Sequence, residues 1–248
     1  MIDPLKQFAV KKIVPLDIAG IDISFTNASL FMVLATVFIL LFHGLAVHKA
    51  KIVPSRLQSA VELLYEFIAQ MLKENAGQQG LKYFPFVFSL FLFVLVGNLL
   101  GLVPYGFTFT SHIIVTFALA FTVFILVTFI GLYNHGWKFF RLFFPEGTPL
   151  VVAPILIPVE IIAYFARPVT LAVRLFANML AGHVILKVFA GFTIMLGAVG
   201  GVFGVAGGAA PIIMNVVFTA FEIFVAFIQA YVFTILTCLY LHDAIHLH

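Results

Sequence analysis

The apolar positions of this chain gather into long, nearly unbroken runs separated by short polar connectors. The first run, 30–47, predicts a membrane-spanning helix, and two more, 84–103 and 113–133, predict a helical hairpin turning at Pro104–Tyr105–Gly106. Each is close to the ~20 residues that carry a helix across a ~30 Å hydrocarbon layer. Two longer stretches, 149–195 and 209–241, follow, joined by the glycine-rich link GAVGGVFGVAGG at 197–208. At 1.5 Å per residue they would rise ~70 Å and ~50 Å, too far for upright helices. Either the longer stretch breaks into two passages or both helices are bent and strongly tilted. No charged turn divides the longer stretch, so one long, tilted helix is expected for each, bent by Pro154, Pro158 and Pro168 in the first.

Segment 54–76 has a different rhythm. Val61, Leu64, Tyr65, Ile68 and Leu72 recur at helical spacing among charged residues, which predicts an amphipathic helix lying along the membrane surface. The connector 134–149, with His135, Trp137, Lys138, Arg141 and Glu146, has the mixture expected at a lipid–water interface. No run shows the two-residue alternation of an outer-membrane barrel. The predicted fold is an all-α integral membrane protein of one domain, with about five transmembrane helices plus the amphipathic surface helix. The first ~24 residues mix charged and apolar types and lack the apolar centre of a signal peptide.

Composition reinforces this reading. Hydrophobic residues make up 63% of the chain and charged residues 9%, and the mean hydropathy is +1.19, far from a soluble domain. The net charge of +3 points to no nucleic-acid partner, because the Lys and Arg residues mostly flank apolar runs. Seven of them fall in the connectors 48–83 and 134–149 and none in 104–112 or 196–208. The positive-inside rule then puts the first two connectors on the cytoplasmic or matrix side. The lone Cys238 permits no internal disulfide. The chain has no phosphate-binding glycine loop and no metal-spaced His or Cys cluster apart from the terminal histidines, so neither cofactor nor metal is expected.

Against this background the few ionisable residues in the apolar stretches carry the information, because a charge at membrane depth costs at least ~2.5–3.5 kcal/mol and usually marks an ion or substrate path. Glu160, Arg167, Arg174 and Asn178 follow one another at steps of seven, seven and four, which places them on one helix stripe within about 40°. His183 projects from nearly the opposite side, ~13 Å further along. Glu222 and Gln229 share a face of the last helix, and antiparallel packing would bring Glu222 toward His183. Histidine and a desolvated carboxylate can move protons near neutral pH; a guanidinium cannot, so Arg174 acts only as a fixed charge. An ion-pair ladder, a membrane scaffold and a self-contained secondary transporter or channel for an ion or anionic solute are the competing readings. A transporter commonly shows inverted repeats, and none is evident here.

The strings RLFANMLAGH at 174–183, ARPVTLAV before it, FIQAYVFTIL at 227–236, GNLLGLVPY at 97–105 and FFPEGTP at 143–149 closely resemble subunit a of the rotary proton-translocating ATP synthases. The resemblance covers nearly the whole chain. It implies a non-catalytic stator subunit, multi-pass in a bacterial inner membrane or mitochondrial inner membrane, that offers two offset proton half-channels to a ring of small proteolipid subunits. Further partners would be peripheral-stalk subunits and membrane lipid. Arg174 matches the family's essential arginine, whose acidic partner sits on the ring. Asn178 and Gln229 match polar residues beside it, and Glu160 an acidic position in the inner half-channel. His183 and Glu222 match a pair found in exchanged order in some bacterial members. Asn98 matches a polar hairpin site, while Gly101 stands where some bacterial relatives carry an aspartate. The outer path would then run near Asn98, His183, Glu222 and His112, with Arg167 in an accessory role.

Overall fold

The computed structural model describes residues 6–18, 21–22, 24–48, 51–103, 106–143, 153–198 and 200–246. The expected helix start at Pro149, the FFPEGTP link beyond Phe143, the Pro104–Tyr105 turn and the last two residues of the histidine-rich end lie outside them. Six α-helices dominate: α1 Asn27–His48, α2 Arg56–Gly80, α3 Phe84–Leu102, α4 Ile113–His135, α5 Ala153–Gly197 and α6 Gly201–Ile245. Five helical segments are long and apolar enough to cross a membrane, and the fold is all-α in its membrane part.

Two short antiparallel ladders precede α1, a feature that the apolar pattern does not predict. β1 (Lys12–Val14) pairs with β4 (Phe25–Thr26), and β2 (Asp17–Ile18) pairs with β3 (Ile21–Asp22). The Lys12 ammonium and the Ser24 hydroxyl both reach the Asp22 carboxylate and hold its pKa down to about 2.

α2 begins at Ser55, whose hydroxyl accepts the Gln58 backbone N–H and so satisfies one of the donors left open in a first helical turn. Val61, Ile68, Met71 and Leu72 form its buried stripe, whereas Tyr65 stays 52% exposed, its ring 4.5 Å from that of Phe84. The helix bends at Gly77, which takes the left-handed φ of 70°. It then passes through a 3-10 turn at Leu81–Tyr83 into α3.

The two longest helices differ from expectation at their ends. α6 starts at Gly201, eight residues before the predicted 209, so most of the supposed glycine-rich link is helix. In an apolar medium every backbone N–H and C=O needs an internal partner, and helix formation supplies it whatever the intrinsic cost of glycine. The turn itself shrinks to the few residues between Gly197 and Gly201, with Gly200 at φ 76°. α6 also runs on to Ile245, four residues past the predicted 241. α5 is unbroken over 45 residues with Pro158 and Pro168 inside it, a length of ~67 Å at 1.5 Å per residue.

The chain forms two compact units. The first contains residues 1–39, 93–112 and 175–230, and the second residues 40–92, 113–174 and 231–248. In the first unit the end of α3 and the loop after it pack through glycine: a Cβ at Gly97 would lie 3.0 Å from Cε2 of Phe109 and closer still to its Cζ. Phe109 is itself fully buried. In the second unit Gly131 makes the same kind of room for the ring of Phe139. Gly97→Leu therefore overpacks the first unit and should cost about 1–3 kcal/mol. A lowered thermal midpoint of the solubilised complex, with Phe109→Ala in the same background recovering part of the loss, is the expected result.

Candidate functional site

In the first unit the polar side chains meet where α5 and α6 run side by side. Glu222 on α6 is 3% exposed and His183 on α5 is 7% exposed. His183 Nδ1 lies 3.6 Å from Glu222 Oε1, within ion-pair reach. This approach depends on Gly182, because a Cβ there would stand 2.5 Å from that same carboxylate oxygen. The other ring nitrogen, Nε2, is 2.7 Å from the hydroxyl of Thr108, and Phe8 sits edge-on to the imidazole with centroids 6.4 Å apart. The imidazole is thus held between a carboxylate and a hydroxyl.

Two cavities adjoin this pair. One of about 690 Å³ is lined by the polar side chains Gln7, Lys11, Asn27, His183, Lys187 and Asn215. The other, about 400 Å³, has mostly apolar walls interrupted by Asn178, Glu222 and Gln229. His183 lines the first and Glu222 the second, so the 3.6 Å gap joins them through two ionisable groups. At the edge of the second cavity Asn178 donates its amide to Gln229 Oε1 at 2.7 Å. Asn98 is fully buried and donates to the Ala226 carbonyl at 3.3 Å, while its own carbonyl oxygen has no partner among the described residues. His112 stacks on Phe107 at 5.1 Å, and burial pushes its pKa below the ordinary histidine value. Its Nε2 is also without a partner among the described residues.

In the second unit the chemistry is different. Arg167 Nη1 pairs with Asp243 Oδ2 at 3.0 Å. Its guanidinium also lies 5.5 Å from the ring centre of Tyr164 and 5.1 Å from that of Tyr240, within cation–π range. Thr128 gives its hydroxyl proton to the Phe124 carbonyl, so the Tyr164 O–H is the donor in the 2.6 Å contact that ties Tyr164 to α4. His135 Nε2 donates to the Ile245 carbonyl at 3.1 Å and anchors the end of α6. Glu160 is half-buried on α5, with no ion pair among the described residues.

Arg174 is also on α5, one turn before Asn178, and its side chain is exposed. No carboxylate among the described residues lies within 4.0 Å of it. The arginine expected to have an accessory role is thus the neutralised one, and the arginine singled out by sequence is open. Sequence reasoning missed Asp243, Tyr164, Tyr240 and Thr108. Asp243 was hidden by ending the last helix at 241; three residues after Tyr240, it shares that residue's face and lies one turn further along α6. The run of hydroxyls in FTFTS was the only sign of Thr108.

A multi-pass helical protein that carries a histidine, a glutamate and an arginine unpaired among the described residues on its long apolar helices fits the class of ion-conducting membrane subunits. The family described as ATP synthase A chain matches residues 29–242. The chain is 54% identical to ATP synthase subunit a of Rhodospirillum rubrum over 248 residues, all of both chains. It is 55% identical to that of Paramagnetospirillum magneticum over 251 residues, again all of both, and 57% identical to that of Rhizobium etli over 244 residues, 98% of this chain and 97% of the relative. This chain belongs to the ATP synthase A chain family, and is a non-catalytic membrane component for proton transport in such a complex.

The Arg167–Asp243 pair is only partly shielded, with side chains 28% and 36% exposed, so its coupling should be modest, about 1 kcal/mol in a double-mutant cycle. Arg167→Gln and Asp243→Asn should each lower the thermal midpoint of the complex, and the double variant should lose less than the sum of the two. Strict additivity would show that the pair contributes nothing.

Proposed function

We propose that this chain is the stator face of a rotary proton path and presents two offset half-channels to a ring of small proteolipid subunits, each carrying one membrane carboxylate. The observation that carries this reading is the exposed Arg174, with no acid within 4.0 Å among the described residues, on a helix whose neighbouring arginine is neutralised by Asp243. A guanidinium stays charged at any physiological pH, and on this reading its counter-charge comes from another chain.

On this reading a proton enters from the outer side through the cavity lined by His183, passes to Glu222 and reaches a ring carboxylate beyond the second cavity, near Asn178 and Gln229. Asn98 and His112 support that outer path. Once neutral, the ring carboxyl can face lipid. After the ring has turned, the carboxyl releases its proton toward Glu160 and passes Arg174 as an anion. Arg174 lowers the cost of that anion and stops protons from crossing without rotation. Each charge moved through 100 mV yields about 2.3 kcal/mol, so several must pass for each ATP. The complex sits in an energy-coupling membrane, a bacterial or mitochondrial inner membrane, with peripheral-stalk subunits holding this chain against the ring.

Arg174→Ala in the assembled complex tests the proposal. ATP-driven acidification of inverted vesicles should fall to background, while soluble ATP hydrolysis by the detached catalytic sector is unchanged. Pumping near the unmodified level would overturn it. Copurification of a ring-forming proteolipid after gentle solubilisation separates this reading from a self-sufficient transporter.

A further inference from the structure

The proton-handling pair proposed above leaves one close contact unused. His183 Nε2 is 2.7 Å from Thr108 Oγ1, and Thr108 is 5% exposed in the loop between α3 and α4. We infer that Thr108 is a positioning residue of the proton relay: its hydroxyl holds the His183 imidazole with Nδ1 toward Glu222 in both tautomers of the ring. This inference rests on the reading of His183 and Glu222 as a relay.

A relay histidine has to receive a proton on one nitrogen and give one from the other, so its tautomer alternates. A backbone carbonyl at Nε2 would accept only, and would favour the tautomer with the proton on that nitrogen. A hydroxyl both donates and accepts. When Thr108 donates to Nε2, the ring proton sits on Nδ1, facing Glu222 Oε1 at 3.6 Å. When Nε2 carries the proton, the same hydroxyl accepts it, and the Nδ1 lone pair faces a protonated Glu222. The ring need not flip between these states.

The loop is built to keep this hydroxyl in place. The Thr108 carbonyl accepts the Ser111 hydroxyl at 2.6 Å and the Ser111 N–H at 3.2 Å, so the backbone at 108 is held on its carbonyl side. The side chain sits against Gly101: a Cβ there would lie 2.7 Å from Thr108 Cγ2, 2.8 Å from its Cβ and closer still to the hydroxyl. Any side chain at position 101 would displace Thr108 from His183. Phe8 packs on the ring edge-on without offering a polar atom, so among the described residues the hydroxyl and the carboxylate are the polar contacts at the ring nitrogens.

The experiment compares Thr108→Val, Thr108→Ser and His183→Ala in the assembled complex, measuring ATP-driven vesicle acidification against ATP hydrolysis. Valine keeps the shape and removes the hydroxyl, whereas serine keeps the hydroxyl and removes the methyl. The expected result is a loss of pumping of about tenfold for Thr108→Val at normal assembly, with Thr108→Ser near the unmodified rate. Val pumping normally and Ser impaired would show that Thr108 only fills space, and would overturn the inference. So would a Val defect that Ser fails to restore. If His183→Ala pumps normally, the relay reading itself falls; if His183→Ala is inactive and Thr108→Val is not, the positioning role of Thr108 falls alone.

Discussion

The rest of this structure depends on one cost, that of holding a full charge at membrane depth without a partner. Insertion scales put it at several kcal/mol per residue, and structures meet it by pairing the charge, hydrating it or removing it. The second unit answers by pairing: Arg167 has a carboxylate at 3.0 Å and an aromatic ring on each of two helices. In the first unit two ionisable groups face each other, with His183 Nδ1 3.6 Å from Glu222 Oε1. Arg174 is not paired with any acid among the described residues and is exposed instead, although a neighbour seven residues away on the same helix is compensated; on the proposed reading that opening takes a charge from another chain.

Absent side chains set these distances as much as present ones do. Gly182 adjoins His183 in sequence, and only its missing Cβ lets the Glu222 carboxylate come so close to α5. Gly101 does the same for Thr108. Both glycines sit in helices, where the intrinsic penalty relative to alanine is ~1 kcal/mol. The close approach of polar groups that they permit is the reason to bear that penalty. Glycine at 101 thereby makes room for the hydroxyl that contacts His183.

The apolar runs made the membrane helices legible, because a run of that length has no other stable home than lipid or a helical core. Seven-residue spacing likewise put Arg167, Arg174 and Glu160 on one stripe of α5, a local consequence of helical periodicity. What periodicity could not supply was the identity of partners on other elements. Thr108 reaches His183 across 75 residues of sequence, and Asp243 reaches Arg167 from the opposite end of a hairpin of helices. The misplaced start of α6 has another cause. Glycine is read as a breaker in water, where backbone groups can hydrogen-bond to solvent, whereas in an apolar surrounding the helix is the cheaper state.

On the proposed reading, the exposure of Arg174 also limits how strongly it holds a passing ring carboxylate. At 4 Å two unit charges attract by ~4 kcal/mol at an effective dielectric of 20 and by ~1 kcal/mol in water. One proton moved through 100 mV releases ~2.3 kcal/mol. A dry, enclosed pair would therefore bind more tightly than a single step could undo, and a rotor would stall on it. A wet one would not. The side chain at 174 has to be charged enough to stabilise an anion and exposed enough to let it go. A lysine could satisfy the second condition, but its ammonium can lose a proton when desolvated and so become a carrier instead of a barrier. Arginine meets both conditions only while no acid of its own chain is within reach, and Asp243 is already engaged by Arg167.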